Sequence, residues 1–348
     1  MAENAALMAA IPLALFRCDA SPTIGGGHLS RCLAVAEALA AAGWRVAFAV
    51  GPDTAAMMPT VADFSLLKLS GTSKNELTAM RGYYPDGVDL LVVDHYQRDV
   101  HFEKACRGWA RQILVMDDAT GRRHDCDFLL DAAAHGRVYH GMVPVQARLL
   151  LGPAYALVRR SFSARRTESL RRRDGRAVTN ILVSFGAADP LNLTATTLDV
   201  LDPFADEISI TVALSSRAAH VNEVRRKLHR RMQLKLDADM AVLMSEADLA
   251  VGAAGTSSYE RAVLGLPSVA VIVAVNQRNL ARLIGSVGAA LIIDGINSRL
   301  RTHIETSVRT IMDSGEKRSQ MAQAAAGLID GRASERVVKF MVTEVECA

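Results

Sequence analysis

Short apolar runs alternate with amphipathic stretches along almost the whole chain, and this alternation restricts the fold more than any other feature. Such runs are strands buried on both faces, and amphipathic segments between them are the helices that cover a parallel sheet. In the first half the pattern predicts strands over Leu13–Asp19, Arg45–Val50, Leu66–Ser70, Leu90–His95, Ile113–Asp117 and Phe128–Asp131. A helix is predicted from His28 to Ala42, because Leu29, Cys32, Leu33, Ala36, Leu39 and Ala40 repeat at helical spacing and Gly43 supplies a C-cap. The second half repeats the logic, with strands predicted over Asn180–Phe185, Ile208–Leu214, Leu234–Leu236, Leu249–Gly252, Ser268–Val273 and Ala290–Ile293. Helices over Arg301–Ser314 and Glu316–Ile329, and one starting at Ser334, close the chain. The expectation is α/β: two Rossmann-like, doubly wound domains (1–158 and 178–348) joined by a linker (159–177), with a central cleft.

A length of 348 residues suits two cores, and 50% hydrophobic with 22% charged residues is a globular balance. The net charge of +3 gives no field that would draw nucleic acid or an acidic membrane. The eight arginines of Arg159–Arg176 lack aromatic interleaving, so the segment reads as a solvated linker with a charged helix. The longest apolar stretch, Ala262–Val275, is broken by Gly265 and Pro267 before it could span a membrane. Ala5–Phe16 is mostly apolar but lacks a basic start, and reads as a leader to the first strand. Cys18, Cys32, Cys106, Cys126 and Cys347 are odd in number and contain no C-x-x-C, which suits reduced thiols in a cytoplasm. The nine histidines show no metal-binding spacing, so no metal is expected.

In doubly wound sheets ligands sit at the carboxyl ends of strands. The first such end, Arg17-Cys18-Asp19-Ala20-Ser21-Pro22-Thr23-Ile24-Gly25-Gly26-Gly27-His28, passes from a strand through glycines into a helix. Glycines let backbone amides approach a ligand, and a helix start favours anions. Gly25-x-Gly27-x-x-Ser30 only approaches a dinucleotide fingerprint, and no acid ends the second strand to hold a ribose, so no nicotinamide or flavin is expected. A histidine at a helix start has its charged form disfavoured, and a neutral imidazole exposed by glycines can take a proton from water. His28 is therefore a candidate general base, against the alternative of a structural donor. Arg31, one turn on, is a clamp for a carbonyl or phosphate, or plain surface.

The second such end, Val251-Gly252-Ala253-Ala254-Gly255-Thr256-Ser257-Ser258-Tyr259-Glu260-Arg261, offers backbone amides and three hydroxyls to a diphosphate. Ser257-x-x-Glu260 also fits a capping box, so Glu260 is either a local cap or an acceptor for a ribose diol. Ser184–Pro190, Asn276-Gln277 and Asp94-His95-Tyr96 complete five polar strand tips expected to converge on one cleft.

Taken in order, these residues resemble a known family. The shared features are Arg17-x-Asp19 with Ile24-Gly-x-Gly-His28, Arg31-Cys32, Asp94-His95-Tyr96, Asp117-Asp118 and His124-x-x-Asp127. They continue with Gly152-Pro153-x-Tyr155-Ala156-Leu157, Ser184-Phe185-Gly186, Asp189-Pro190-x-Asn192-Leu193-Thr194, Gly252-Ala-Ala-Gly255 through Glu260, and Asn276-Gln277. The family is the UDP-sugar hydrolases of pseudaminic acid biosynthesis (PseG), which act on UDP-2,4-diacetamido-2,4,6-trideoxy-β-L-altropyranose. The chain is also similar to the wider GT-B glycosyltransferases, including the enzyme that makes lipid II, whose C-terminal domain binds UDP.

The resemblance implies a GT-B fold and a cytoplasmic, monomeric enzyme that takes a UDP-sugar as its small-molecule partner, without cofactor, metal, nucleic acid or membrane insertion. It implies that His28 is the general base on water and that Asp19, Gly27, Arg31, Tyr96 and Asn276 meet the sugar. Gly186, Gly255, Thr256, Ser257, Glu260 and Gln277 would hold the nucleotide, with Glu260 on the ribose. The family often has two glycines where this chain has Gly186-Ala187, and Ala187 would be strained if that position needs a positive φ. No acetyltransferase domain is expected to follow. The rivals are a glycosyltransferase that uses the same donor with another acceptor, and a non-catalytic sugar-nucleotide-binding protein.

Overall fold

The computed structural model describes residues 11–21, 25–54, 63–69, 75–119, 121–134 and 137–346. Most of the apolar leader before Leu13, Pro22–Ile24 of the glycine loop, Ser70 and Cys347 therefore lie outside the described residues. Two compact units form. One runs to Arg159 and takes back the chain from Arg332, and the other spans Arg160–Gly331.

The first unit is built on a seven-stranded sheet in the order β3-β2-β1-β4-β5-β6-β7, parallel throughout. Its strands are β1 Leu13–Cys18, β2 Arg45–Val50, β3 Ser65–Lys68, β4 Val88–Asp94, β5 Ala110–Met116, β6 Phe128–Asp131 and β7 Arg148–Leu151. β1 is buried along its whole length, and its alternate side chains feed two cores. Ala14, Phe16 and Cys18 pack with the helix Gly27–Ala41 and with Val337 and Met341 of the last helix. Leu13 and Leu15 pack with Met80, Trp109 and Tyr139 on the other face. Of the predicted helical stripe, Leu29, Cys32, Leu33, Ala36 and Leu39 lie on the buried face of Gly27–Ala41, whereas Ala40 is exposed, and Gly43 follows at φ +87°.

The second unit carries a six-stranded parallel sheet in the order β10-β9-β8-β11-β12-β13. These strands are β8 Asn180–Ser184, β9 Ser209–Leu214, β10 Met232–Leu236, β11 Leu249–Ala253, β12 Ser268–Val271 and β13 Leu291–Ile293. The helices Leu193–Leu201 and Leu300–Met312 cover one face through Leu198, Leu201, Ile304 and Val308. The pair of doubly wound α/β domains is thus as the sequence leads one to expect. In each sheet the strand order reverses once, at β1/β4 and at β8/β11, and such switch points are where a ligand can enter beyond the strand ends.

Three expectations need correction. β7 went unpredicted, because only four residues form it and two of them are exposed. The final helix, Ala333–Glu346, returns to the first unit and packs on Gly27–Ala41, so the second domain does not run to the C-terminus. The arginine-rich stretch is in large part a packed helix, Arg160–Arg171, rather than a solvated linker. Arg166 donates to the carbonyls of Val263, Ala326 and Ile329, and Arg173 to those of Met244, Ala247 and Leu264. These carbonyls lie at or just past helix C-termini, which lack intrahelical donors and carry partial negative charge.

Among the described residues no helix is long and apolar enough to cross a membrane. Cys18, Cys32, Cys106 and Cys126 are buried free thiols.

Candidate active site

At the first switch point β1 ends at Cys18 beside Asp94, the last residue of β4. After β1 the chain turns so that the Gly25 amide donates to the Ser21 carbonyl at 2.7 Å, with Gly25 at φ +82°, a conformation open to glycine. Gly26 caps the next helix through its backbone and Gly27 opens it, one residue earlier than expected. His28 thereby stands in the helix's first turn, over the tip of β4.

There His28 Nδ1 lies 2.5 Å from Asp94 Oδ1. Arg31 grips the same carboxylate with two bonds, Nε to Oδ2 and Nη2 to Oδ1, both 2.6 Å. Its third nitrogen, Nη1, donates to Asp118 Oδ2 at 3.0 Å, while the Tyr96 hydroxyl donates to Asp118 Oδ1 at 2.8 Å. The Tyr96 ring meets the imidazole edge-on, with centroids 4.6 Å apart. The imidazole is more enclosed than the sequence suggests: it is 7% exposed, packed against Tyr96.

The partners fix the chemistry. Burial alone would raise the Asp94 carboxyl, but the Arg31 guanidinium and His28 overcome it and hold Asp94 well below the usual carboxylate range. An ionised carboxylate can only accept, so Nδ1 carries a proton, and the lone pair of the neutral ring is then on Nε2. Arg31 Nη2, 3.1 Å from Nδ1, is then a second donor converging on the same oxygen. Burial lowers Arg31 as well, and Asp94 and Asp118 together raise it well above its ordinary value. A base oriented by a buried carboxylate, with a fixed cation beside it, can take a proton from a bound nucleophile.

Asp19 has a different place from the one expected. Its Oδ1 accepts from the Gly51 amide at 2.6 Å, and its Oδ2 from Arg17 at 2.9 Å and from His95 Nε2 at 3.0 Å. Arg17 in turn makes two bonds to Glu76, which Arg98 also grips. Burial raises Asp19, but His95 and Arg17 outweigh it and hold the carboxyl well below its ordinary value. With both oxygens engaged, Asp19 braces the tips of β1, β2 and β4 rather than offering a free acceptor to a sugar.

Sequence reasoning missed the roles of Asp94 and Asp118. Both were visible as strand-tip acids, and the available signal was that β1 and β4 flank the switch point. Asp117 turns away from Asp118, to Arg122 at 3.1 Å and His124 at 3.2 Å.

In the second unit the tips of β8, β11 and β12 gather at the other switch point. Gly186, at the end of β8, takes φ +93°, whereas Ala187 is not among the residues at positive φ, so the substitution carries no backbone strain. Asp189 caps the next helix through the amides of Leu193 and Thr194. Gly255 faces Gln277: a Cβ there would lie 3.2 Å from the side-chain Nε2, while Gln277 Oε1 accepts from the Val273 amide at 3.0 Å. The loop therefore brings Gly255 and Gln277 together, and Asn276 beside them is exposed on the turn Val275–Gln277. Thr256 rather than Ser257 is the N-cap of the helix Ser257–Val263, and its side chain makes no cap bond, so Ser257 does not take the capping position the sequence offered it. The Ser257 and Ser258 hydroxyls instead accept from Arg261 at 3.2 and 2.7 Å. Thr256, Ser257 and Glu260 stay partly exposed on this loop and helix. Among the described residues no group of three or more His, Cys, Asp or Glu side chains is placed to hold a metal.

Residues 181–337 match the glycosyltransferase family 28 C-terminal domain. The chain is 27% identical over 280 residues to the UDP-2,4-diacetamido-2,4,6-trideoxy-β-L-altropyranose hydrolase of Campylobacter jejuni, covering 79% of this chain and 96% of that protein. It is 29% identical over 211 residues to the spore coat polysaccharide biosynthesis protein SpsG of Bacillus subtilis, covering 59% of this chain and 60% of that one. Among solved structures, MurG of Acinetobacter baumannii superposes with a TM-score of 0.61 at 17% identity, over 95% of this chain and 99% of that one. MnaA of S. aureus, solved with UDP, superposes with a TM-score of 0.63 at 13% identity, over 97% and 98%. These likenesses show the GT-B type of fold, and the resemblance drawn from the motifs stands with them.

Proposed function

We propose that this chain, a relative of the UDP-sugar hydrolases with the fold of the GT-B glycosyltransferases, is a UDP-sugar-processing enzyme whose reaction is hydrolysis. Its substrate in this reading is a UDP-linked 2,4-diacetamido-2,4,6-trideoxy hexose, as for the Campylobacter relative, and it works in the cytoplasm. The observation that carries the proposal is the His28–Asp94 pair at the first switch point: a protein that only bound a nucleotide would need no base aligned by a buried carboxylate.

Water is deprotonated by His28 Nε2 and attacks the anomeric carbon on the face opposite UDP, so the configuration inverts. Asp94 holds the ring and stabilises the imidazolium as the proton arrives. In this reading Arg31, held by Asp94 and Asp118, and the Tyr96 ring orient the sugar. UDP leaves as charge on its diphosphate meets the backbone amides of the Gly255 loop and the hydroxyls of Thr256 and Ser257. The Ser257 oxygen already accepts from Arg261, so its own proton is free to donate to the leaving group. Glu260 accepts from the ribose diol.

The family 28 domain match supports a second reading, transfer to an acceptor other than water. A panel of UDP-sugars, assayed for UDP release with no acceptor added, separates the two. Hydrolysis requires release of UDP from the diacetamido sugar nucleotide, and release that depends on an added acceptor would replace it with transfer.

A further inference from the structure

Arg261 is 2% exposed, yet among the described residues no carboxylate bonds to it. A guanidinium buried without an anion is costly, because desolvation of an ion amounts to several kcal/mol. The other buried arginines resolve this in two ways. Arg17 and Arg98 face carboxylates. Arg318 lies at the carbonyls of Ile311 and Met312, the negative end of a helix. Arg261 does neither.

Its guanidinium reaches back along its own helix to a single segment. Nη2 donates to the Ala253 carbonyl at 2.8 Å and to Ser258 Oγ at 2.7 Å, Nη1 donates to Ser257 Oγ at 3.2 Å, and Nε has no partner. Space for it is made at Gly252, where a Cβ would lie 2.1 Å from the Ser184 carbonyl oxygen and 3.3 Å from Nη1. Burial pulls the guanidinium down to about 10, with Glu260 acting against that, so it remains a cation at neutral pH. A positive charge thus lies beneath the loop that leaves β11 at the switch point, bonded directly only to a carbonyl and two hydroxyls.

We infer that Arg261 is the positioning residue of the diphosphate loop: it fixes Ala253–Ser258 and makes that loop select the charged diphosphate of a nucleotide over its uncharged part. The inference deepens the proposed function and rests on its reading of the second unit as nucleotide-binding. Glu260 acts on the guanidinium only through space, and the anion that would sit against the loop is the ligand's own. The guanidinium also draws on the lone pairs of Ser257 and Ser258, which leaves their protons for the ligand.

Calorimetric titration of the full chain with UDP, UMP and uridine tests this. The wild type should bind UDP at least about 10²-fold tighter than uridine, and Arg261→Gln should lose about 10-fold or more in UDP affinity with uridine moving less than about 3-fold. Arg261→Lys, which keeps the charge and loses the fork, should retain most of the preference. A merely structural arginine would weaken UDP and uridine in parallel, and that result overturns the inference, as does a folded Arg261→Gln with unchanged UDP affinity. Should Arg261→Gln fail to fold, Arg261→Met fills the same space without charge. Should both fail, the wild type and the lysine variant decide, because a wild type without diphosphate preference, or a folded Arg261→Lys that has lost it, contradicts a role for the charge. A wild type that binds neither UDP nor uridine defeats the nucleotide reading instead.

Discussion

His28 Nδ1 and Asp94 Oδ1 stand 2.5 Å apart, although 66 residues separate them in the chain. The contact exists because the chain's strand order places β4 beside β1, and because the glycine turn after β1 starts a helix directly over the β4 tip. It fixes the orientation of the His28 imidazole.

Residues that act as one unit fail together. His28→Asn is expected to lower kcat at least about 10²-fold with little change in KM, since the interaction it removes is made only in the transition state. Asp94→Asn should lower kcat comparably, by letting the imidazole settle in the wrong tautomer, and the double variant should be no worse than His28→Asn alone. Steady-state kinetics with melting temperatures checks all three. Near-normal kcat in a folded Asp94→Asn would show that the pair does not act as the base.

Glu260→Ala is expected to act on binding. Removal of the carboxylate should raise KM about tenfold or more while kcat stays within a few-fold. Loss of kcat with KM unchanged would place Glu260 in the chemistry and contradict its assignment to the ribose.

The sheets were readable from periodicity because parallel strands are apolar throughout, and twelve of the thirteen strands follow from it. β7 offers only the three leucines Leu149–Leu151 after an arginine, a run too short to read as a strand. Periodicity tells which face of a helix is apolar but not what covers it, so the return of Ala333–Glu346 to the first unit could not be read. The arginines of Arg160–Arg171 look solvated in sequence because their partners, carbonyls at helix ends, have no sequence signature. His28, Arg31 and Tyr96 were found as a motif and do come together. The strand-tip acids could not be sorted, because only pairing shows that Asp94 meets His28 whereas Asp19 braces the loops.

A second buried histidine makes stability depend on pH. His124 Nδ1 lies 2.7 Å from Glu103 and Nε2 lies 3.2 Å from Asp117, so both nitrogens donate and the ring is a cation. Burial lowers it, but Asp117 and Glu103 overcome that and raise it from 6.5 to about 9. A pKa raised by folding contributes stability that is complete below the unfolded value and is lost as pH rises through the folded one. Urea unfolding should therefore show roughly a few kcal/mol lost between about pH 6.5 and 9, and His124→Gln should flatten that slope. An equal slope in the variant would mean that the dependence arises elsewhere.

Isotope placement tests the central claim most directly. The UDP-linked diacetamido-trideoxy hexose is incubated with the protein in ¹⁸O-labelled water without an acceptor, and the products are analysed at early times by mass spectrometry. Attack by His28-activated water at the anomeric carbon places the label in the free sugar and none in UDP. Label in UDP would mean attack at phosphorus, and no release of UDP without an acceptor would mean the chain transfers sugars instead of hydrolysing them.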